Sequence, residues 1–289
     1  MIKVIATDLD GTLFYPKKRL RMVTKKNKEF LRRFAEQGGK VLISSSRSEQ
    51  FYKKMREKLD FPFDFIGADG TFIIYNGKKI YDKTFDVPSL KRLIFDIREK
   101  YDPPLMLLST RDSPLIMTKT KVSHWTNFVY FVYQAVQGVY HEPVVRSDHF
   151  FYGAMESGGA HKLMVLIGIT KKKKKLAEQV TKDLARKYPE FEFMWLDQFI
   201  EITPKGCSKG AGVAFYLDYL GLNHDNVLVV GDSGNDVSMF EAFYENSYCM
   251  EHAPESVKAK AKHTVARVYE LENELYPSAD STKAEKEEK

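Results

Sequence analysis

Short apolar runs and helix-like stripes alternate along the first part of the chain. Apolar runs typical of buried strands cover residues 2–7 and 40–44, and helical patterns follow at residues 24–39 and 48–59. This order of strand, helix, strand and helix is typical of a parallel sheet wound with crossover helices. Farther on, Asn76-Gly77 separates two short strand-like runs, which predicts a β-hairpin.

The pattern changes after about Phe85. Residues 85–203 mix helical and strand-like segments without regular alternation, which predicts an inserted α+β region with its own core. The alternation resumes at Ser208, where a predicted helix precedes the almost uniformly apolar run 226–230. Such a run is typical of a strand at the centre of a parallel sheet. A last helix is predicted over residues 254–262.

These patterns together predict an α/β fold with a doubly wound, Rossmann-like parallel sheet and an inserted α+β cap. We assign residues 1–84 and 204–276 to the catalytic core and residues 85–203 to the cap. Residues 277–289 are polar and charged and contain no aromatic side chain, so we predict a disordered tail.

Composition narrows the class of protein. The 289 residues are 43% hydrophobic, which is enough for a globular protein with a substantial core. The two cysteines, Cys207 and Cys249, lie far apart and argue against a disulfide framework or a zinc site. Charged residues interrupt the N-terminal apolar stretch, so no signal peptide is predicted. No run of about 18 apolar residues occurs, so no membrane helix is predicted. These features together predict a cytoplasmic protein without membrane contact.

The net charge of +6 raises the local concentration of anions, including phosphorylated metabolites. Charge alone does not identify a partner, and an ordinary basic protein is favoured over a nucleic-acid binder. The sequence contains no signal for an oligomeric state.

Polar residues follow the first predicted strand directly, in the run Asp8-Leu9-Asp10-Gly11-Thr12. Residues i and i+2 of an extended chain point the same way, so Asp8 and Asp10 are expected to converge at the carboxyl end of the strand. Paired carboxylates favour a hard cation such as Mg²⁺. The alternative is a turn after a strand, because Asp, Gly and Thr are also ordinary turn residues.

Three other groups of polar residues follow predicted strands or begin predicted helices. Ser44-Ser45-Ser46-Arg47 offers hydroxyls and backbone N–H groups to a phosphate, although a serine-rich helix cap looks the same. Lys209 precedes a helix and could neutralise a phosphoryl group, although most lysines are simply solvated. The run 231–236, Gly-Asp-Ser-Gly-Asn-Asp, adds two carboxylates and an amide at the end of the most apolar strand.

These four motifs, in this order, resemble those of the haloacid dehalogenase superfamily of phosphohydrolases, which use an aspartate nucleophile. The resemblance covers residues 2–82 and 205–262, and the inserted region is placed like the cap of the Cof-type, or IIB, subfamily. It implies a catalytic core with a mobile cap and Mg²⁺ as the cofactor. Asp69-Gly70-Thr71 imitates the first motif, but we interpret it as a turn.

The resemblance also implies a role for each motif residue. Catalysis is assigned to Asp8 as nucleophile, to Asp10 as general acid and base, and to Lys209. Phosphate binding is assigned to Ser45, Ser46, Lys209 and Asn235. Metal binding is assigned to Asp8, Asp10, Asp232 and Asp236.

The predicted function is a Mg²⁺-dependent phosphatase that hydrolyses small phosphorylated metabolites, such as sugar phosphates, through an aspartyl-phosphate on Asp8. Charge neutralisation and alignment are what phosphoryl transfer requires, and the motif residues can supply both. Two alternatives remain: a phosphotransferase or phosphomutase on the same core, and a non-catalytic protein that binds phosphorylated metabolites.

Overall fold

The structure, a computed structural model, describes residues 1–16, 22–111, 113–118, 142–168, 170–196 and 199–276. Its strands are β1 (Val4–Thr7), β2 (Lys40–Ser44), β3 (Asp64–Gly67), β4 (Phe72–Tyr75), β5 (Lys78–Asp82), β6 (Leu105–Thr110), β7 (Leu115–Met117), β8 (Val144–Arg146), β9 (Ala160–Leu166), β10 (Phe191–Leu196), β11 (Phe199–Pro204), β12 (Val227–Gly231), β13 (Ser247–Met250) and β14 (His263–Val265). Its α-helices are α1 (Lys25–Glu36), α2 (Glu49–Lys58), α3 (Val87–Tyr101), α4 (Asp148–Ser157), α5 (Lys171–Lys187), α6 (Lys209–Tyr219), α7 (Val237–Ala242), α8 (Glu255–Lys258) and α9 (Leu271–Leu275).

The first sheet has eight strands in the order β14-β13-β12-β1-β2-β3-β4-β5. The six strands from β14 to β3 are parallel, and the β4–β5 hairpin adds two antiparallel strands at one edge. Strands β1 and β12 are central and every residue in them is buried, as their apolar sequences predict. Apolar clusters cover both faces of the sheet. The predicted α/β, doubly wound Rossmann-like fold is thereby confirmed.

Among the described residues, the second sheet has six strands in the order β10-β11-β9-β6-β7-β8, of which the β7–β8 pair is parallel and the other pairs are antiparallel. Helices α3, α4 and α5 supply side chains to a separate apolar core against it. All six strands come from residues 105–204, so this sheet interrupts the first one as a single continuous insertion. The exact division into residues 1–84, 85–203 and 204–276 stays a prediction.

Local sequence signals account for several element boundaries. The Thr24 hydroxyl accepts a hydrogen bond from Asn27 N and begins α1 at the predicted cap. Asn76 and Gly77 both have positive φ angles, 47° and 75°, as the predicted two-residue hairpin requires. Among the described residues, no helix is both long enough and apolar enough to cross a bilayer.

Two predictions concern the C-terminal part of the chain: a helix over residues 254–262 and a disordered tail. The helix predicted over residues 254–262 is wrong in extent, because α8 stops at Lys258. The chain turns there so that Lys262 N can donate to Ser247 Oγ at 2.9 Å and β14 can pair with β13. The predicted disordered tail, 277–289, lies outside the described residues.

Candidate active site

Three carboxylates from distant parts of the chain meet at one edge of the eight-stranded sheet. Asp8 follows β1, Asp232 follows β12, and Asp236 lies in the next turn. Strands β1 and β12 are parallel neighbours, so their carboxyl ends lie side by side. One carboxylate oxygen from each residue lies within 4.8 Å of the others. The sequence-predicted residues Asp8, Asp232 and Asp236 are thus brought together.

Lys209, the first residue of α6, lies inside this cluster and is 1% exposed. Its Nζ is 2.6 Å from Asp8 Oδ1 and 2.7 Å from Asp236 Oδ1. Burial lowers the pKa of Lys209, but the Asp236 and Asp8 carboxylates outweigh it and hold the pKa above its ordinary value. The ammonium therefore stays charged between the two aspartates.

The negative net charge of the cluster favours a bound divalent cation. Among the described residues, the three carboxylates of the cluster contact one ammonium, which leaves an excess of two negative charges. Burial raises the pKa of Asp8 well above its ordinary value, and Asp236 and Asp232 raise it further against the effect of Lys209. Asp8 Oδ2 is buried and has no hydrogen-bond partner among the described residues. An oxygen-only donor set with an unused buried oxygen fits Mg²⁺.

The three aspartates of the cluster differ in how their oxygens are occupied. Asp236 Oδ2 accepts from the backbone N–H groups of Asp232 and Ser233, at 2.9 and 3.0 Å, while its Oδ1 contacts Lys209. Asp232 Oδ1 accepts from the Thr12 hydroxyl at 3.0 Å. Asp236 thus orients the loop and the lysine, whereas Asp8 keeps one oxygen for another ligand.

Asp10 is not a member of that acidic group. It lies in the irregular turn Leu9–Leu13, where Asp10 has φ −79° and ψ 105° and Gly11 has a φ of 96°, so the regular i, i+2 alternation does not continue past Asp8. Its two carboxylate oxygens accept from Arg47 Nε and Nη2 at 2.7 and 3.0 Å. Arg47 Nη1 also reaches Glu142 Oε2 at 3.3 Å. Arg47 therefore has carboxylate partners on two sides.

The predicted phosphate loop, residues 45–47, forms hydrogen bonds with strand β3 and with the turn at residues 68–70. Ser45 N donates to Ile66 O, and the Ser45 hydroxyl oxygen accepts from Arg47 N at 3.2 Å. Ser45 is 1% exposed, so its hydroxyl has few orientations open to it. Ser46 contributes through its carbonyl, which accepts from Lys162 Nζ at 2.8 Å.

Asn235 belongs to a buried network that joins the two sheets. Its Nδ2 donates to Asp69 Oδ1 at 3.2 Å, and Asp69 Oδ2 lies 2.9 Å from Lys162 Nζ. Lys162, on β9, also contacts Glu201 Oε1 on β11 at 3.2 Å. Asp69 has a φ of 57°, which confirms that it lies in a turn, but its side chain also reaches the site. One ammonium here faces two carboxylates.

That imbalance sets the protonation of the two acids. Burial raises the pKa of Asp69, but Lys162 and Lys209 outweigh it and hold that pKa below its ordinary value. Burial also raises the pKa of Glu201 to about 7, with Lys162 opposing and Asp69 adding to the rise. The charged Asp69 carboxylate therefore pairs with the Lys162 ammonium, and Glu201 stays protonated up to about neutral pH.

Glu201→Gln is expected to flatten the pH dependence of stability. The folded protein keeps the Glu201 proton up to about pH 7, whereas an unfolded chain releases it near 4.5. The folded state therefore loses stability as pH rises through this window, by up to about 3 kcal/mol. Urea unfolding at about pH 5 and about pH 8 measures this loss, which the variant should lack.

The matched control is Glu192→Gln, on the neighbouring strand β10. The Glu192 side chain is 40% exposed and accepts a hydrogen bond from Gly206 N. This control should keep the slope of the unmodified protein. Identical slopes for Glu201→Gln and the unmodified protein would contradict the assigned protonation.

A model of the haloacid dehalogenase-like hydrolases matches residues 5–270 of the chain. The chain belongs to this family. The predicted membership of the haloacid dehalogenase superfamily is thereby confirmed, and the chain shares the fold of a solved subclass IIB phosphatase.

Three similar proteins illustrate the match. The pyridoxal phosphate phosphatase YbhA of Escherichia coli is 26% identical over 90% of this chain and 91% of its own length. The structure of SMU.1108c from Streptococcus mutans has a TM-score of 0.78 and 24% identity, covering 95% of this chain and 99% of that one. The subclass IIB sugar phosphatase BT4131 has a TM-score of 0.69 and 19% identity, covering 93% and 95%.

Four residues near the site were not singled out from the sequence: Arg47 as a partner of Asp10, and Glu142, Lys162 and Glu201. For two of them, the sequence contained a pattern that could have identified them. Lys162 and Glu201 are charged residues inside strands whose other residues are mostly apolar, and such charges are almost never buried unless paired. Glu142 carried no comparable pattern.

Proposed function

We propose that the protein is a Mg²⁺-dependent phosphatase that hydrolyses small phosphorylated metabolites through an aspartyl-phosphate on Asp8. The observation that carries this proposal is the state of the Asp8 carboxylate. One oxygen is held by Lys209, the other is buried without a partner among the described residues, and Asp232 lies beside it. A carboxylate so fixed is a suitable nucleophile for a phosphorus atom in line with it.

Asp8 and Asp232 would hold the Mg²⁺ ion, with the Asp10 backbone carbonyl as a third donor and Asp236 supporting the loop. The ion supplies positive charge to the phosphoryl oxygens during transfer. Lys209 adds a second positive charge and keeps Asp8 oriented. Ser45 and Asn235 would bind the remaining phosphoryl oxygens, with Ser46 contributing its backbone N–H.

In the first step, an Asp8 oxygen bonds to phosphorus while the bond from phosphorus to the leaving oxygen breaks. Asp10, as a carboxylic acid, gives its proton to that oxygen. In the second step, a water oxygen bonds to the phosphorus of the aspartyl-phosphate while the bond from phosphorus to the Asp8 oxygen breaks, and the water loses a proton to the Asp10 carboxylate. Phosphate leaves, and Asp8 and the protonated Asp10 are restored.

Arg47 pairs with the Asp10 carboxylate, which is the form that the second step needs. The first step needs the acid, so Arg47 must loosen its hold on Asp10 when substrate binds. Glu142 offers Arg47 another carboxylate partner during that change. The six-stranded sheet that follows residue 105 would act as the cap, closing over the substrate and excluding water.

Release of free phosphate from a panel of phosphomonoesters tests the proposal. The panel should contain sugar phosphates, nucleotides and pyridoxal phosphate, since YbhA is named for the last of these. Release should require Mg²⁺ and stop when EDTA is added. Turnover only in the presence of an alcohol or sugar acceptor would instead support the phosphotransferase alternative. A lack of turnover with every member would support the binding-protein alternative.

A further inference from the structure

Lys162 of the six-stranded sheet extends its side chain into the eight-stranded part of the molecule. It is 2% exposed, and its Nζ lies within hydrogen-bond distance of Ser46 O, Asp69 Oδ2 and Glu201 Oε1. An ammonium has three N–H donors, and three acceptors surround this one. Burying such a charge is costly unless its partners are well placed, so the geometry around Lys162 is tightly determined.

The contact with Ser46 O fixes one peptide plane of the phosphate loop. The carbonyls of Ser45 and Arg47 on either side are also held, by Asp69 N at 3.1 Å and Ala68 N at 2.9 Å. In a planar trans peptide, the carbonyl and the next N–H point to opposite sides. Holding Ser46 O therefore directs Arg47 N–H toward Ser45 Oγ, where it donates at 3.2 Å. In the proposed function, the Ser45 hydroxyl would donate its own proton to a phosphoryl oxygen.

A second route runs from Lys162 through Asp69. Asp69 stands in the left-handed region together with Ala68, at φ angles of 57° and 44°, a conformation that costs free energy and needs support. Lys162 holds one oxygen of Asp69, and the other accepts from Asn235 Nδ2. The Ser233 hydroxyl then donates to Asn235 Oδ1 at 2.6 Å. The orientation of the Asn235 amide thus depends on Lys162 through two hydrogen bonds.

We propose that Lys162 is a positioning residue, through which the six-stranded sheet aligns both the Ser45 loop and Asn235 for the phosphoryl group. The phosphate site is then complete only while the two sheets are docked. This inference rests on the proposed function for its effect on catalysis, but its effect on the Ser45 loop does not depend on any activity.

Lys162→Met in the full-length protein tests the inference by amide hydrogen exchange and by oxyanion binding. Exchange in the peptide that covers residues 44–48 should become about 10-fold faster, because the peptide plane is no longer held. The affinity for tungstate, a phosphate analogue, measured by calorimetry with Mg²⁺ present, should fall about 10- to 100-fold. The kcat should fall by a similar factor.

Two further variants distinguish a local effect of Lys162→Met from a general loss of folding. Removing the ammonium leaves Asp69 and Glu201 facing each other, so Lys162→Met should also be combined with Asp69→Asn and Glu201→Gln. In that triple variant, the amide oxygen introduced at position 69 can still accept from Asn235. The matched control is Lys83→Met, because Lys83 is exposed and donates to Lys205 O at 2.6 Å, away from the phosphate loop.

The readouts separate the two proposals. A folded triple variant with the exchange rates and tungstate affinity of the unmodified protein would overturn the role of Lys162, even if its melting temperature falls. Failure of the unmodified protein to bind tungstate would count against the proposed function. The exchange rates at residues 44–48 would still decide whether Lys162 positions the loop.

Discussion

Replacing Asp8 with asparagine is expected to lower kcat at least about 10⁴-fold, because an amide does not attack phosphorus. The fold should survive, since the asparagine carbonyl can still accept from Lys209 Nζ. Its stability should match or exceed that of the unmodified protein, because one of three clustered carboxylates is gone. Free-phosphate release and urea unfolding measure the two effects.

Asp225→Asn is the matched control, since Asp225 is exposed in the turn before β12. It should change neither quantity. Retention of more than about a tenth of the activity in Asp8→Asn would mean that another group is the nucleophile.

Lys209→Met is expected to affect both activity and folding. Three clustered carboxylates, of which Asp8 and Asp236 are buried, then face one another without their ammonium, which should destabilise the fold by about 3–5 kcal/mol. The kcat should fall about 10³-fold, because the phosphoryl group and Asp8 lose a fixed positive charge. Urea unfolding and steady-state kinetics at saturating Mg²⁺ measure the two losses.

A double variant, Lys209→Met with Asp236→Asn, separates these effects. Removing the second charge should recover much of the lost stability, because fewer like charges remain in the cluster. It should not recover kcat. A double variant as active as the unmodified protein would show that the ammonium has no part in catalysis.

The first sheet could be predicted from the sequence where strands are apolar throughout. Strand β12 is such a case, since its five residues are all buried and local pattern alone identified it. Strand β3 was not predicted, because it is only four residues long and begins with a charged residue, Asp64. That carboxylate is buried only because Tyr216 Oη and Asn76 N donate to it, at 2.5 and 2.7 Å. Both donors depend on the finished fold.

The inserted region was harder to predict because some of its elements lack a regular apolar pattern. Strand β8 and helix α4 have no regular apolar period, although Ser147 caps α4 by accepting from Phe150 N. In the site, residues at strand ends were predictable because parallel strands bring their carboxyl ends together. Contacts between the sheets, such as that of Lys162 with Ser46 O, have no local signal.

Trapping the covalent intermediate tests the central claim most directly. Asp10→Asn should slow the second step, which needs a base, while p-nitrophenyl phosphate should still react in the first, because its leaving group needs no proton. The variant is mixed with this substrate and Mg²⁺, quenched in acid and analysed by tandem mass spectrometry. We expect one phosphoryl group on Asp8. A phosphoryl group on any other residue, or phosphate release with no modified protein at any time point, would contradict the proposed mechanism.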